Sequence, residues 1–164
     1  MKRVLLTGGA GFVGSHLVRA CLSKGWQVGV LYLPQAGLVQ IQDVLPKIQV
    51  YPVAGTTEEI FSAMAHFKPD LVFHLASVFL SNHSPANIIT LVQSTVTFGT
   101  QLLDAMSTFE VPYFVNTGTS WQHYESDAYN PVNLYAATKQ AFEDIVDYYV
   151  QSRRITAITL KIVI

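Results

Sequence analysis

The sequence contains few of the residues that several classes of protein site require. Cys21 is the only cysteine among 164 residues, which excludes a disulfide framework and a cluster of thiolate metal ligands. Only 13% of the residues are charged and the formal net charge is −1, so the chain has no basic surface suited to nucleic acid. It has no stretch of about 18 apolar residues, the length that a transmembrane helix requires. We therefore expect a cytoplasmic protein that binds no metal, nucleic acid or membrane.

Half of the residues are hydrophobic, which is a high fraction for a chain with so few charges. A soluble domain of this composition can bury apolar residues on both faces of a sheet, which favours α/β layers. Short apolar runs also alternate with longer amphipathic segments along the chain. The pattern therefore predicts one domain over residues 1–164, with a doubly wound parallel sheet and helices on both faces.

The individual elements follow from that alternation. Strands are predicted at residues 4–7, 27–33, 48–53, 71–75, 112–116 and 155–164, and helices at 12–23, 57–67, 84–107 and 133–153. Ligands of such a sheet bind at the carboxyl ends of the strands, where the strand order reverses. Because the chain stops inside an apolar strand, we expect it to be an N-terminal fragment of a longer enzyme.

A glycine-rich turn follows the first predicted strand and opens the first predicted helix. Gly8, Gly11 and Gly14 are spaced as in a dinucleotide-binding turn. Gly8 permits a tight turn, Gly11 allows the backbone to approach a pyrophosphate, and Gly14 allows helix and strand to pack closely. The N-terminus of the helix offers unpaired N–H groups to the phosphates. An ordinary turn without a ligand is the alternative, but the position inside a βαβ unit favours a Rossmann-like dinucleotide site.

The end of the second predicted strand lacks the residue that usually selects the dinucleotide. An Asp or Glu about 20 residues after the turn normally binds the adenine ribose, and a nearby Arg accommodates a 2′-phosphate. This strand instead ends in Leu31, Tyr32, Leu33 and Pro34. The sequence therefore leaves both NAD and NADP open, with NAD slightly favoured.

Tyr135 and Lys139 are four residues apart and share one face of the last predicted helix. A free tyrosine has a pKa of about 10, so acid–base catalysis at neutral pH requires a lowered pKa. A neighbouring ammonium and an oxidised nicotinamide would each favour the phenolate. Such a pair also arises by chance, and an exposed helix face is the alternative interpretation. The pair opens the helix that follows the fifth predicted strand, and that strand leads into the hydroxyl residues Thr117, Thr119 and Ser120. This placement favours a catalytic role, although Ser and Thr after a strand often only cap the loop.

These features, in this order, resemble the extended short-chain dehydrogenases/reductases, the NAD-dependent epimerase/dehydratase family. The resemblance covers essentially the whole chain and includes residues 69–76. It implies Tyr135 as the acid/base, Lys139 as its partner and Thr119 as the catalytic hydroxyl, with Ser120 as the alternative. It also implies a set of cofactor-binding residues, namely Gly8, Gly11, Phe12, Val13, Tyr32, Leu75, Ala76, Ser77, Thr117, Tyr135 and Lys139.

The chain departs from the family pattern at three places. Tyr32 stands where an acidic residue is expected. Residues 55–57 stand where the family often has an aspartate near the adenine, and Thr95 where an asparagine is common in the long helix before the fifth strand. Each departure weakens a cofactor or relay contact and leaves Tyr135 and Lys139 in place.

The resemblance implies an NAD(P)-dependent epimerase, dehydratase or reductase that acts on a nucleotide-linked sugar, with hydride transfer and Tyr135 as acid/base. The helices beginning near Ser84 and Asn133 resemble the pair that forms a four-helix dimer interface, which implies a homodimer. The alternative is a non-catalytic dinucleotide-binding module or a truncated relic. The weakened adenine contacts favour that alternative, as does the lack of the C-terminal region that forms the sugar-nucleotide pocket in the family.

Overall fold

The structure, a computed structural model, describes residues 1–163. Six strands form one sheet: β1 (Arg3–Thr7), β2 (Gln27–Tyr32), β3 (Gln49–Pro52), β4 (Leu71–His74), β5 (Tyr113–Thr119) and β6 (Thr156–Ile162). They lie in the order β3-β2-β1-β4-β5-β6, and every neighbouring pair is parallel. The predicted doubly wound parallel sheet is therefore confirmed. Residue 164, predicted as the end of the sixth strand, lies outside the described residues.

The strand order reverses between β1 and β4, which lie side by side at the centre of the sheet. Chain connections leave these two strands in opposite directions, which opens a crevice at their carboxyl ends. The glycine turn follows β1 directly, so the sequence places it at this crevice.

The helices that connect the strands are α1 (Phe12–Ser23), α2 (Thr57–Phe67), α3 (Ile88–Val92), α4 (Phe98–Thr108) and α5 (Leu134–Arg153). Two of them have side-chain caps that satisfy N–H groups at the helix start. Thr56 and Glu59 form a capping box before α2, and Asn133 Oδ1 accepts a hydrogen bond from the Ala136 N–H before α5. Within residues 1–163, no helix combines the length and the apolar character needed to cross a bilayer.

Two apolar cores lie on opposite faces of the sheet. Because side chains alternate along a strand, Val4 and Leu6 of β1 pack with Val18 of α1, whereas Leu5 packs on the other face. That other core contains buried residues from three helices, including Phe67, Leu102 and Phe142. Both faces of the central strands are therefore buried, which explains why these strands are almost wholly apolar, as the composition suggested.

The single helix predicted over residues 84–107 is wrong in detail, because the structure divides this region. A short 3₁₀ turn (Pro85–Asn87) precedes α3, and a π-helical segment (Gln93–Thr97) separates α3 from α4. The π-helical segment widens one turn by an extra residue and contains Thr95, which is fully buried and whose hydroxyl has no hydrogen-bond partner. Apolar residues spaced three to four apart predict a continuous helix, and this pattern does not reveal the one extra residue of a π-helical turn.

Candidate active site

The glycine turn lies tightly against the end of β4. Gly8 has a φ of +68°, and a Cβ atom there would lie 2.8 Å from the backbone nitrogen of Ala76. A Cβ on Gly14 would collide with the carbonyl oxygen of Gly8. The nearest atom to a Cβ on Gly11 would be the Gly8 oxygen, at 3.3 Å. The tight turn at Gly8 and the close packing at Gly14 thus have a direct steric basis, whereas Gly11 faces more open space.

The first turn of α1 presents N–H groups without a side-chain cap. Gly11 is the N-cap residue, and neither a capping side chain nor an acidic residue occupies this turn. Phe12 and Val13 are exposed there, with Phe12 at 77%. Unpaired N–H groups and the positive end of the helix dipole together favour an anion. The turn therefore fits the pyrophosphate of a dinucleotide.

A hydrogen-bond network that the sequence did not reveal joins this turn to β4 and β5. Thr7 Oγ1 lies 2.8 Å from His74 Nδ1 and accepts a hydrogen bond from the Ala76 N–H at 3.2 Å. Thr117 Oγ1 donates to the His74 carbonyl at 2.9 Å, and Lys139 Nζ donates to the Thr117 carbonyl at 2.8 Å. The network thus runs from the glycine turn to the predicted catalytic lysine.

His74 is the fully buried centre of this network. Its ring lies among Phe98, Phe114 and Phe142, with centroid distances of 5.9, 6.0 and 5.3 Å. Burial, with a smaller contribution from the positive charge of Lys139, lowers the pKa of His74 to about 3. The imidazole is therefore neutral at physiological pH. Among residues 1–163, no group of three or more His, Cys, Asp or Glu side chains is placed to hold a metal ion.

Tyr32 ends β2 at the same edge of the sheet. Its side chain is partly buried and packs against the apolar core beneath α1. An aromatic ring in this place offers no carboxylate to the 2′-hydroxyl of an adenine ribose.

Tyr135 and Lys139 lie on the buried face of α5, so the alternative of an exposed helix face is wrong for both. Tyr135 is 7% exposed and Lys139 is 1% exposed. The Lys139 ammonium lies 5.8 Å from the centre of the Tyr135 ring. One hydrogen bond from Lys139 goes to the Thr117 carbonyl, and an ammonium has two further N–H groups to offer.

The electrostatics of this pair differ from the expectation for Tyr135. Burial raises the pKa of the Tyr135 phenol, and a hydrogen bond with Ser77 only partly opposes this effect. Burial lowers the pKa of Lys139 to about 8, while the negative charge of Glu143 raises it. The chain's own residues therefore do not lower the pKa of this phenol.

Thr119 is the last residue of β5 and is 8% exposed. Its Oγ1 accepts a hydrogen bond from the Trp121 N–H at 3.3 Å. The hydroxyl hydrogen is not used in this contact, so it remains available to donate to an oxygen of a substrate. Thr119 therefore makes the capping contact that the sequence gave as one alternative, and its catalytic role stays a prediction. Ser120 begins the short 3₁₀ turn Ser120–Gln122 that follows.

Gln122, which follows the predicted catalytic threonine and could from the sequence line a substrate pocket, instead contacts Glu143 behind Thr119. Glu143 was not among the predicted site residues. Gln122 is fully buried, and its Nε2 donates to Glu143 Oε1 at 2.9 Å. Its Oε1 accepts from the Thr119 N–H at 2.9 Å. One feature of the sequence could have identified Glu143, because it lies four residues after Lys139 and therefore on the same face of the helix.

Phe79 and Trp121 form an aromatic wall beside Tyr135. The Phe79 ring lies 5.4 Å from the Trp121 ring and 5.2 Å from the Tyr135 ring, and Phe79 remains 54% exposed. Asn133 Nδ2 donates to the Ser81 carbonyl at 3.0 Å, which ties the loop of Phe79 to the start of α5. The wall is therefore an apolar surface held in place next to the predicted acid/base.

A groove of about 380 Å³ lies beside α1 on the face of β4, β5 and β6. It brings together three of the predicted cofactor residues, Val13, Leu75 and Thr117, with His16, Leu17, Ala20, Phe73, Val115, Leu160 and Ile162. This face of the sheet is therefore open next to the glycine turn.

The strand order, the glycine turn and the buried Tyr–Lys pair together match a known family. Residues 4–163 match the model of the NAD dependent epimerase/dehydratase family. The chain belongs to this family. The resemblance drawn from the sequence is confirmed, and the NAD dependence of the family agrees with the slight preference for NAD.

Two relatives illustrate the sequence similarity within the epimerase/dehydratase family. A UDP-glucose 4-epimerase of Lactobacillus helveticus is 31% identical over 155 residues, which covers 88% of this chain and 46% of that protein. A CDP-abequose synthase of Salmonella muenchen is 23% identical over 150 residues, which covers 92% of this chain and 48% of that protein.

Solved structures of family members have the same fold. The crystal structure of a Thermus thermophilus UDP-glucose 4-epimerase complexed with NAD has a TM-score of 0.86 and 27% identity, over 97% of this chain and 54% of that one. A Brucella ovis UDP-glucose 4-epimerase structure with NAD has a TM-score of 0.87 at 19% identity, which shows the fold alone. The chain thus spans about half the length of the relatives that it matches.

Proposed function

We propose that this chain is the NAD-binding part of an enzyme that oxidises or reduces a ring carbon of a nucleotide-linked sugar, as an epimerase, dehydratase or reductase. The observation that carries the proposal is the buried Tyr135–Lys139 pair, which Thr117, His74 and Thr7 connect to the glycine turn. Cofactor-binding and acid–base groups therefore belong to one rigid unit.

The residues around the crevice fit NAD. At Gly8 and Gly14, the backbone leaves no room for a side chain, and the uncapped start of α1 suits a pyrophosphate. Lys139 has two N–H groups beyond its bond to Thr117, and they suit the hydroxyls of a ribose. Leu75, Ala76 and Ser77 continue from β4 beside the turn, with Ala76 held by Thr7.

Oxidised NAD, when bound, would supply a hydride acceptor and a positive charge to the site. A positive charge near the phenol would favour the phenolate and so oppose the effect of burial on the pKa of Tyr135. Thr119 donates a hydrogen bond to the hydroxyl oxygen of the sugar. Tyr135 removes the hydroxyl proton as the C–H hydride leaves, so that the carbon becomes a ketone. In the reverse direction Tyr135 returns the proton to the oxygen as the carbon regains a hydride.

Two further features belong to this proposal. We expect a cytoplasmic homodimer whose interface uses the faces of α3 and α5, since Ile88 and Ile89 of α3 are exposed at 43% and 68%. A monomeric mass by light scattering across the micromolar range would contradict the dimer.

The first experiment titrates the chain with NADH and NADPH and follows nicotinamide fluorescence. Saturable binding of NADH is expected, and a folded chain that binds neither dinucleotide contradicts the proposal. The second experiment mixes the chain with oxidised NAD and UDP-glucose in a stopped-flow instrument and follows transiently reduced nicotinamide by absorbance. Tyr135→Phe should keep NADH affinity and lose the absorbance change, and an unchanged signal in this variant excludes Tyr135 as the acid/base.

A non-catalytic dinucleotide-binding module is the second candidate function. The raised pKa of the Tyr135 phenol and the aromatic residue at position 32 favour it. The same two experiments separate the candidates, because a binding module takes up NADH and gives no Tyr135-dependent absorbance change with any nucleotide-linked sugar.

A further inference from the structure

A polar cluster lies behind the proposed catalytic groups, between α5 and the carboxyl ends of β5 and β6. Its members are Gln122, Gln140, Glu143 and Lys161. The amide of Gln122 is fully buried, and each of its polar atoms has a partner. Nε2 donates to Gln140 Oε1 and to Glu143 Oε1, both at 2.9 Å. Oε1 accepts from the Thr119 N–H at 2.9 Å.

A buried amide with these bonds fixes the atoms that it contacts, because a buried polar group left without its partner is costly. Reversing the amide would place its NH₂ group against the Thr119 N–H, so only one orientation satisfies the cluster. The backbone of Thr119 is therefore held at its nitrogen by Gln122, while its hydroxyl contacts the Trp121 N–H.

Gly118 provides the space for this cluster. A Cβ atom there would lie 2.7 Å from Glu143 Oε1, 2.8 Å from Gln122 Oε1 and 2.9 Å from Lys161 Cδ. The cluster thus packs directly on the backbone of β5, one residue before Thr119.

Glu143 connects the cluster to Lys139. The two residues are one helical turn apart on the same face of α5. Lys161 Nζ donates to both oxygens of Glu143, at 2.6 and 2.7 Å, which holds the carboxylate in place. The titratable or charged groups around Lys139 are Tyr135 and Glu143 on α5, His74 on β4 and, beyond Glu143, Lys161 on β6. Of these, Glu143 is the group that favours the ammonium form.

We propose that Gln122 and Glu143 are positioning residues, and this inference rests on the function proposed above. Gln122 holds the backbone of Thr119, and Glu143 places a fixed negative charge one turn behind Lys139. The end of β5 and the first half of α5 are thereby positioned by one cluster.

Glu143→Gln tests the charge. The substitution keeps the volume and removes the negative charge, so Lys139 should lose its proton at lower pH. The alkaline limb of the pH profile of kcat/KM should shift to lower pH by roughly half to one pH unit. NMR of lysine side chains labelled with ¹³C at Cε follows Lys139 directly and requires no turnover. Glu58→Gln, on α2, is the matched control and should leave the Lys139 titration unchanged.

Gln122→Met tests the amide. It keeps the length of the side chain, removes all three hydrogen bonds and should lower kcat by about 10–100-fold, the scale of a displaced catalytic group. KM and NADH affinity should change little, and hydrogen exchange at the Thr119 amide should accelerate. Gln101→Met removes a comparable bond, to Thr57 on α2, and should leave kcat unchanged.

The outcomes separate this inference from the function on which it rests. An unmoved Lys139 titration in Glu143→Gln overturns the role of Glu143, whether or not the chain turns over. An unchanged kcat, or protection of the Thr119 amide that persists in Gln122→Met, overturns the role of Gln122. Failure of the folded, unmodified chain to bind NADH or NADPH contradicts the proposed function, while the NMR and exchange results still decide the cluster.

Discussion

Thr7 Oγ1 and His74 Nδ1 meet at 2.8 Å across the two central strands, directly below the glycine turn. The contact joins the residue before Gly8 to the residue that ends β4. Because the backbone carbonyl of His74 also accepts a hydrogen bond from Thr117, one buried residue connects the cofactor crevice to the proposed catalytic strand. The stability and the pH dependence of this centre can therefore be measured separately from catalysis.

His74 should make the fold sensitive to acid. In the unfolded chain it takes up a proton below about pH 6.5, whereas in the folded chain it stays neutral until about pH 3. The free energy of unfolding should therefore fall as the pH drops between these values, by on the order of 5 kcal/mol at most. Urea unfolding of His74→Phe at several pH values should show a smaller loss in this window. His66→Phe, at an exposed position, should retain the dependence of the unmodified chain.

Substitutions at Gly14 and Gly11 should distinguish an effect on stability from an effect on NADH binding. Gly14→Ala forces a Cβ against the Gly8 carbonyl, so it should lower the free energy of unfolding by about 1–3 kcal/mol or more. Gly11→Ala faces a milder contact and should unfold nearly as the unmodified chain does. Its methyl group would enter the space proposed for the pyrophosphate, so NADH affinity should fall. Equal NADH affinity in Gly11→Ala and the unmodified chain would show that the dinucleotide does not approach this residue.

Phe79 should contribute to substrate binding more than to stability, because half of its ring is exposed. If the aromatic wall contacts the sugar, Phe79→Ala should raise KM for the nucleotide-linked sugar by roughly tenfold, the effect of losing one aromatic contact. Its kcat and NADH affinity should stay close to those of the unmodified chain. Tyr113→Ala, which removes an exposed aromatic ring from the opposite end of β5, is the control. A change in NADH affinity with KM unchanged would assign the wall to the cofactor instead.

Asn133 has two contacts that substitution can separate. Its Oδ1 caps α5 through the Ala136 N–H, and its Nδ2 ties Ser81 to the helix. Asn133→Ala removes both and should cost about 1 kcal/mol through the cap alone. Asn133→Asp keeps the cap and removes the tie, so its melting temperature should stay near that of the unmodified chain. If Asn133→Asp loses as much stability as Asn133→Ala, the contact with Ser81 is the important one.

Much of the site could be predicted because its residues follow rules of local spacing. Gly8 and Gly14 precede and open the first helix, and Tyr135 and Lys139 share a helix face, so both pairs are visible in the sequence alone. The contribution of Gln122 was not visible, because a glutamine after a strand is an ordinary loop residue until its burial is known. The π-helical segment at Thr95 was missed because one inserted residue hardly alters an apolar pattern.

The sequence by itself determined the alternation of strands and helices, the dinucleotide turn and the membership in the NAD-dependent epimerase/dehydratase family. Those features depend on local conformational preferences and on the periodicity of apolar residues, which the order of residues contains directly. Only the tertiary structure decided that Thr7, His74, Thr117 and Lys139 form one network and that the pKa of Tyr135 is raised. Hydrogen bonds between strands far apart in sequence, and the loss of water around a buried phenol, exist only once the sheet and α5 have packed together.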